Sequence, residues 1–459
     1  MYTIDFDKPL NVHFIGIGGI SMSGLAEILH QKGFTVTGSD QKGTQITKKL
    51  ESLDINVFIG HRACNISDDT GLVIYTAAVK EDNIEYITAK VKNIPMLGRA
   101  ELLGQIMKNY KYPIGVSGTH GKTTTTSMIS HILLVGEKDP TISIGGILNA
   151  IHGNIRVGHS DYFVAESCEY CDSFLHFNPF VSIILNIEED HLDYFKDINQ
   201  IRRSFKAFAN KLPNDGYLVI NTEIDNYEEI ISGLDCNIIT YGNDERANFY
   251  ADNITYNELG YPTYDLIYNG KKIEEISLQV NGIHNVYNSL AAIAATYCLD
   301  MDIQNAKKGI MNFTGTNRRF EYKGNIRGVN VIDDYAHHPT AISATLSAAT
   351  KYPHDKLWVV FQPHTYSRTK AFLKSFADSL SSADNIILTD IYAAREKNTG
   401  DIHSKDLLSE LTKLGKQAFY FSSFDEIENF LLQNCHPNDL LITMGAGDVK
   451  IIGEELIKG

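Results

Sequence analysis

The chain has 459 residues, of which 43% are hydrophobic and 21% are charged, a composition typical of a folded globular protein and not of a disordered one. With 41 basic and 56 acidic residues, its formal net charge is −15, which disfavours nucleic acid as a partner. The N-terminus lacks a basic lead and an apolar run, and no stretch has the ~20 apolar residues needed to cross a bilayer. We therefore expect a cytoplasmic protein without membrane insertion, with roughly three domains for this length.

Short apolar runs alternate with helix-like segments in the N-terminal part of the chain, which predicts parallel βαβ units. Strands are predicted at 12–15, 34–38 and 72–76, and a helix at 22–29. A glycine-rich turn, Gly16-Ile17-Gly18-Gly19, lies between the first strand and this helix, and Asp40 follows the second strand. The turn is close to a dinucleotide fingerprint, but Ser21 occupies the third glycine position. Backbone N–H groups at such a helix start can bind a diphosphate.

The strand pattern restarts twice further along the chain. Predicted strands of the second cycle lie at 114–116, 162–165, 181–185 and 217–220, with a β-rich stretch at 236–280 and an alanine-rich helix at 285–297. Predicted strands of the third cycle lie at 329–332, 357–361, 385–389 and 440–443. The sequence therefore predicts three α/β domains, over residues 1–108, 109–316 and 317–459.

The segment Gly118-Thr119-His120-Gly121-Lys122-Thr123-Thr124 lies between a predicted strand and a predicted helix. Glycines allow backbone N–H groups to surround an anion, Lys122 can reach the outer phosphates, and the Thr123 hydroxyl can bind Mg²⁺. The common phosphate loop has a further glycine where this chain has Val116, so the segment predicts a variant loop that binds a nucleoside triphosphate. The alternative is a glycine-rich turn capped by threonines.

Acidic side chains follow two of the predicted central strands. Glu166 and Glu169 come after one strand, and an acidic stretch that ends at His191 comes after the next. Because parallel strands end at one edge of a sheet, where ligands bind, Glu169 or Glu166 and His191 can join Thr123 around Mg²⁺. Each cluster alone is more often a solvated loop.

The GTHGKTTT segment resembles that of the Mur ligase family, ATP-dependent enzymes that add amino acids to the cell-wall precursor. Other segments are similar to family signatures in the same order, and the resemblance runs from residue 16 to residue 448. These segments are 282–288, with Gly282-Ile283-His284-Asn285 and Asn288; 315–321, with Arg318-Arg319-Phe320-Glu321; 333–340; 361–369; and 445–448.

The resemblance implies a Rossmann-like N-terminal domain that binds a UDP-sugar, a central P-loop-type ATPase domain with a parallel sheet, and a C-terminal Rossmann-like α/β domain that binds an amino acid. It favours Glu169 and His191, with Thr123, as ligands of Mg²⁺. The implied ATP-binding residues are Gly118, Thr119, His120, Gly121, Lys122, Thr123, Thr124, His284, Asn285, Asn288, Arg319 and Asp334. The implied substrate-binding residues are Gly16, Gly18, Gly19, Ser21, Asp40, Arg99, His337 and His364.

The C-terminal segments resemble the family member that joins L-alanine to the lactyl carboxylate of UDP-N-acetylmuramate in peptidoglycan precursor synthesis. The implied reaction consumes ATP, passes through an acyl phosphate, and releases ADP and phosphate. Its implied catalytic residues are Lys122, Glu169, His191, His338 and Arg368. Arg368 would hold the alanine carboxylate, and one of His337, His338 and His364 would act as a base or position the amine. We expect a monomer or a homodimer.

Three alternatives stay open from the sequence. A related ligase attaches a tripeptide to the same sugar nucleotide, although residues 171–175 and 361–364 favour the L-alanine reaction. The first glycine turn alone would also suit a nicotinamide-dependent dehydrogenase. A non-catalytic nucleotide-binding protein would leave Glu169, His191 and the Arg318-Arg319 pair without a function.

Overall fold

The computed structural model describes residues 2–76, 78–394 and 396–458, which form three sheets in chain order with helices packed against them. Among these residues, no helix combines the length and the apolar character that crossing a bilayer requires.

The first domain is a parallel α/β unit. Its elements are β1 (Asn11–Ile15), α1 (Ile20–Gln31), β2 (Thr35–Asp40), α2 (Gln45–Glu51), β3 (Asn56–Ile59), β4 (Leu72–Tyr75), α3 (Ile84–Val91), β5 (Met96–Gly98) and α4 (Arg99–Met107). The strand order is β3-β2-β1-β4-β5, and every neighbouring pair is parallel. The order reverses at β1, and ligands bind beyond the carboxyl ends of the strands at such a point. The predicted glycine turn follows β1 there.

The central domain is built on the longest sheet. Its elements are β6 (Tyr112–Ser117), α5 (Lys122–Val135), β7 (Thr141–Leu148), β8 (Gly153–Arg156), β9 (Tyr162–Glu166), β10 (Val181–Ile184), α6 (Ile198–Ala209), β11 (Tyr217–Asn221), α7 (Tyr227–Ile231), β12 (Asn237–Gly242), β13 (Phe249–Tyr256), β14 (Pro262–Tyr268), β15 (Lys271–Ser277), α8 (Ile283–Tyr297) and α9 (Ile303–Met311). The strand order is β15-β14-β13-β12-β11-β10-β6-β9-β7-β8, parallel from β13 to β7 and extended by antiparallel strands at both ends. Thus β6, which precedes the predicted phosphate loop, lies between β10 and β9.

The third domain has a mostly parallel sheet of its own, with helices packed against it. Its elements are β16 (Glu321–Ile326), β17 (Val329–Asp334), α10 (Pro339–Ala349), β18 (Leu357–Phe361), α11 (Tyr366–Ala371), α12 (Leu373–Leu380), β19 (Asn385–Leu388), α13 (Ser404–Lys413), β20 (Gln417–Tyr420), α14 (Phe424–Asn434), β21 (Leu440–Met444) and α15 (Lys450–Lys458). The strand order is β16-β17-β21-β18-β19-β20, and only β16 is antiparallel in this described sheet.

The first two domains share one hydrophobic core. Leu103 and Ile106 on α4 belong to the same buried cluster as Phe174 and Phe177 of the central domain. Gly104 allows this close approach, because a Cβ at this position would overlap the backbone carbonyl of His176. The buried apolar residues of the third domain instead form clusters of their own.

The predicted α/β fold class and the predicted strands are confirmed, with ends that differ by a few residues. The sequence does not predict β3, β5, β8, β16 or β20, and each of these is an edge strand. An edge strand carries exposed side chains and therefore lacks a continuous apolar run, as in β3, where Phe58 and Ile59 are exposed. The sequence also misses β7, which has two glycines in its second half. The exact domain boundaries remain a prediction.

Candidate active site

The predicted phosphate loop joins β6 directly to α5. Gly118 (φ 140°) and Gly121 (φ 82°) adopt backbone conformations that residues with side chains rarely enter. A Cβ at Gly118 would lie 2.9 Å from the Cβ of Leu185, and a Cβ at Gly121 would lie 2.6 Å from Oδ1 of Asn288. Because the N-cap residue Gly121 has no side chain, the first N–H groups of α5 can bind an anion.

Asn186, which follows β10, holds the loop in this conformation. Its Oδ1 accepts a hydrogen bond from the backbone N–H of His120 at 2.7 Å, and its Nδ2 donates to the backbone oxygen of the same residue at 3.1 Å. The backbone N–H of Glu188 donates to Oγ1 of Thr119 at 3.0 Å. The segment after β10 therefore fixes the shape of the phosphate loop.

Lys122 points back into the loop. Its Nζ donates to the backbone oxygens of Gly118 and Thr119, and lies 3.0 Å from Oε2 of Glu169. Burial opposes the charged amine, but the Glu169 carboxylate outweighs this and raises the pKa of Lys122. A lysine held as a cation at this position can exchange its loop partners for phosphate oxygens.

Glu169 and His191 lie close together beside this lysine, and Thr123 is the next residue of the loop. Nε2 of His191 lies 3.9 Å from Oε1 of Glu169, and Arg319 reaches across from the third domain to place Nη2 3.4 Å from Oγ1 of Thr123. Burial lowers the pKa of His191, so the ring is neutral near pH 7. Glu166, the other candidate carboxylate, accepts the backbone N–H of Gly145 at 2.6 Å instead.

The remaining predicted nucleotide-binding residues surround the same cleft of about 500 Å³. Nδ2 of Asn288 donates to Oδ1 of Asn285 at 3.0 Å. Burial, together with the charge of Arg319, lowers the pKa of His284 to about 4. Asp334 accepts two backbone N–H groups of its own domain, at 2.7 and 2.8 Å. The cleft is lined by Thr119, His120, Gly121, Lys122, Thr123, Thr124, His284, Asn285, Asn288, Arg319 and Asp334, among others.

The predicted substrate-binding residues of the first domain lie together beyond the carboxyl end of β1. The turn there contains Gly16, Gly18 and Gly19. The N–H of Gly18 donates to Oδ2 of Asp40 at 3.0 Å, and a Cβ on this glycine would lie 2.8 Å from the same oxygen. Nη1 of Arg99 donates to Oγ of Ser21 at 3.0 Å. Residues distant in the sequence therefore form one polar surface.

Arg368 of the third domain is bound to the central domain. Its Nε and Nη2 donate to Oδ1 of Asp190 at 3.0 and 2.7 Å, and its Nη1 lies 2.8 Å from Nδ1 of His364. Both side chains of the ion pair are 9% exposed. Burial raises the pKa of Asp190, but Arg368 outweighs this and the pKa is strongly lowered. To hold the carboxylate of an amino acid, Arg368 would have to bind it in addition to Asp190 or in place of Asp190.

The two adjacent histidines of the third domain also face the cleft. Nδ1 of His337 lies 2.9 Å from the backbone oxygen of Tyr335, and Nε2 of His338 lies 3.0 Å from the backbone oxygen of Glu189. Burial lowers the pKa of both rings, that of His338 to about 4. Both are therefore neutral near pH 7.

Models of three protein-family domains together match nearly the whole chain. They are the "Mur ligase family, catalytic domain" over residues 11–111, the "Mur ligase middle domain" over 116–296, and the "Mur ligase, glutamate ligase domain" over 318–447. The chain belongs to the Mur ligase family.

Relatives in this family are similar over the full length. The chain is 58% identical over 459 residues to UDP-N-acetylmuramate–L-alanine ligase of Lachnospira eligens, covering 100% of both chains. Its structure resembles UDP-N-acetylmuramate-alanine ligase from Thermotoga maritima with a TM-score of 0.83, at 30% identity and 98% coverage of each chain. It also resembles a murein peptide ligase from Psychrobacter arcticus with a TM-score of 0.72, at 25% identity and 98% coverage of each chain.

The predicted magnesium ligands of this Mur ligase are chemically suited to the ion. Thr123 and Glu169 offer oxygen donors, which Mg²⁺ prefers, and His191 is neutral. Mg²⁺ in phosphate-transfer sites binds few protein ligands and completes its coordination with phosphates and water. Nδ1 of His191 is buried and has no hydrogen-bond partner within the described residues, so the ring is not tied into another network through that atom.

Asn186 and Asp190 are contacts of this Mur ligase site that sequence reasoning misses. Both lie in the segment directly after β10, so the sheet-edge argument that selects His191 also covers them. The sequence does not show which residues Asn186 and Asp190 contact. Asp190 meets Arg368, which is 178 positions away in the sequence.

Proposed function

We propose that this chain joins L-alanine to the lactyl carboxylate of UDP-N-acetylmuramate, with ATP as the energy source, in peptidoglycan precursor synthesis. The observation that carries the proposal is the cleft in which the phosphate loop of the central domain faces Arg319, His337 and His338 of the third domain. The proposed triphosphate site and the neutral imidazoles of His337 and His338, which can bind an amine, therefore share one cavity. The names of the relatives in Lachnospira eligens and Thermotoga maritima support the choice of substrates.

The first step activates the carboxylate, because a carboxylate and an amine do not condense in water. A carboxylate oxygen of the sugar nucleotide attacks the γ-phosphoryl group of ATP, and ADP leaves. Lys122 moves from the loop carbonyls to the phosphate oxygens and stabilises the charge that develops there. The N–H groups at the start of α5 hold the other phosphates.

Thr123, Glu169 and His191 would hold Mg²⁺, and the ion would supply positive charge against the phosphates when bound. Arg319 adds a second cation from the third domain, so contact between the two domains completes the electrostatic site. The polar surface formed by the first glycine turn, Asp40, Ser21 and Arg99 would bind the UDP-sugar.

The second step forms the amide. The ammonium group of L-alanine first loses a proton to water. The free amine then attacks the acyl carbon, and the tetrahedral intermediate breaks its C–O bond to phosphate, which leaves with the second proton that the nitrogen gives up. With a pKa of about 4, His338 is a weak base, so it and His337 accept hydrogen bonds from the amine and orient it. Arg368, with His364 beside it, would hold the carboxylate of L-alanine.

A substrate-omission assay tests the proposal. Phosphate release should require UDP-N-acetylmuramate and L-alanine together, and should stay at background when either one is absent. Replacing L-alanine with the tripeptide tests the rival suggested by the similarity to a murein peptide ligase. Faster release with the tripeptide than with L-alanine would contradict the proposal.

A further inference from the structure

His120, Glu188 and His338 form a compact cluster separate from the proposed magnesium ligands. One ligand atom from each residue lies within 4.8 Å of the other two. His120 belongs to the phosphate loop and Glu188 to the segment after β10, whereas His338 directly precedes α10 in the third domain. The cluster therefore spans the boundary between two domains.

One nitrogen of the His338 ring is held by a backbone carbonyl, as is common for metal-binding histidines. Its Nε2 lies 3.0 Å from the backbone oxygen of Glu189, and since a carbonyl can only accept, Nε2 carries the proton. Nδ1 therefore has a lone pair. It is buried, and no hydrogen-bond partner for it is present in the described parts of the chain, although the residue is only 5% exposed. A hydrogen bond from one ring nitrogen to a carbonyl fixes the tautomer and leaves the other nitrogen free to bind a metal.

The Glu188 carboxylate is also held in place. Oγ1 of Thr340 donates to its Oε2 at 2.5 Å, and Nε2 of His120 lies 3.3 Å from the same oxygen. Burial opposes ionisation, but the contact with His120 outweighs it and lowers the pKa of Glu188. A carboxylate that is ionised and already held in place is a suitable metal ligand.

We propose that His120, Glu188 and His338 bind a divalent ion of the zinc class across the boundary between the central and third domains. Two imidazoles and one carboxylate, with a fourth position open to solvent, are a donor set used for zinc, whereas Mg²⁺ prefers oxygen ligands. All three residues line the cleft, so the fourth position faces water or a phosphate oxygen.

Such an ion ties the third domain to the phosphate loop. It would also occupy the His338 imidazole that the proposed function assigns to the amine, and zinc should then inhibit the reaction. This expected inhibition rests on the proposed function. The binding of the ion does not rest on it. Binding and inhibition can therefore be tested separately.

The experiment is a calorimetric titration of Zn²⁺ into the full chain in the presence of excess Mg²⁺. We expect about one equivalent to bind, with at least tenfold weaker binding in Glu188→Gln. Glu189→Gln removes a charge from the adjacent, exposed position and should bind like the parent protein. His120→Gln provides a second ligand deletion, judged in the same assay after circular dichroism confirms folding. Co²⁺ bound to the parent protein should show the visible absorption of a four-coordinate ion, and this should be lost in Glu188→Gln.

Three results would overturn the proposal. The first is the absence of zinc binding to the parent protein. The second is equal binding by Glu188→Gln, His120→Gln and the parent. The third is a loss on His191→Ala as large as the loss on Glu188→Gln, which would place the ion in the proposed magnesium site.

Discussion

The central domain meets its two neighbours through interfaces of different chemistry. Towards the first domain it shares a continuous apolar core, in which α4 packs against the segment that contains Phe174 and Phe177. Towards the third domain it makes polar contacts, with Arg368 on Asp190 and His338 on the backbone of Glu189. An apolar core loses its stabilisation when water enters, whereas polar groups can replace their partners with water at a small net cost.

The two interfaces are therefore suited to different functions. The apolar interface fixes the first domain relative to the phosphate loop. In the proposed function, the polar interface would open to admit a nucleotide and close to complete the cleft. Changes at the apolar interface should therefore affect stability, and changes in the polar cleft should affect catalysis.

The largest effect is expected for Lys122→Ala in the polar cleft. In the proposed function Lys122 stabilises the transferred phosphoryl group, so its loss should reduce phosphate release by at least about 10³-fold, or about 4 kcal/mol. Circular dichroism should show the same fold, with a lower urea midpoint because Glu169 loses its buried partner. Lys108→Ala, at an exposed lysine beyond α4, is the matched control and should retain full activity. Turnover close to the parent rate in Lys122→Ala would remove the loop from the mechanism.

Gly104→Ala, at the apolar interface, should mainly reduce the stability of the protein. The new Cβ would overlap the carbonyl of His176, so α4 or its partner must shift, and we expect a loss of about 3 kcal/mol in the free energy of unfolding. Gly153→Ala is the control, because its Cβ would meet nothing closer than 3.9 Å. Unchanged stability in Gly104→Ala, measured by urea denaturation, would mean that the two domains are not tightly packed.

Asp190→Asn should weaken the polar interface alone. It removes the charge that Arg368 contacts, and we expect the third domain to lose about 2 kcal/mol of stability. Trp358, the only tryptophan of the sequence, lies in β18 and reports on the third domain by fluorescence. The fluorescence midpoint should fall more than the midpoint seen by circular dichroism. Equal shifts of both midpoints would argue against an interface that opens independently.

Mild acid should have the smallest effect. The pKa of His338 is about 4 in the folded protein, below its ordinary value of about 6.5, so between these values the unfolded chain binds a proton that the folded chain does not. Stability is therefore lost as the pH falls from about 7 to about 5.5, by on the order of 1 kcal/mol for this group. The Trp358 unfolding midpoint should follow this trend, with a shallower slope in His338→Asn. An equal slope in both proteins would assign the pH dependence to other groups.

Much of the site could be predicted because its residues follow buried strands. The runs that become β6, β9 and β10 are apolar, and each is followed by glycines or acids whose chemistry indicates a phosphate site. The parallel arrangement then places these ends at one edge. The interfaces could not be predicted, since they depend on pairs distant in the sequence. Neither the close packing of Gly104 against His176 nor the ion pair of Arg368 with Asp190 produces a local pattern in the sequence.

The most direct test of the account uses UDP-N-acetylmuramate labelled with ¹⁸O in both oxygens of the lactyl carboxylate. If this carboxylate attacks the γ-phosphoryl group, one labelled oxygen leaves with phosphate when L-alanine attacks the acyl carbon. Mass spectrometry should therefore find one ¹⁸O atom in each phosphate released and one in the amide product. Unlabelled phosphate, released at the same rate as the amide forms, would contradict activation of the carboxylate by phosphoryl transfer.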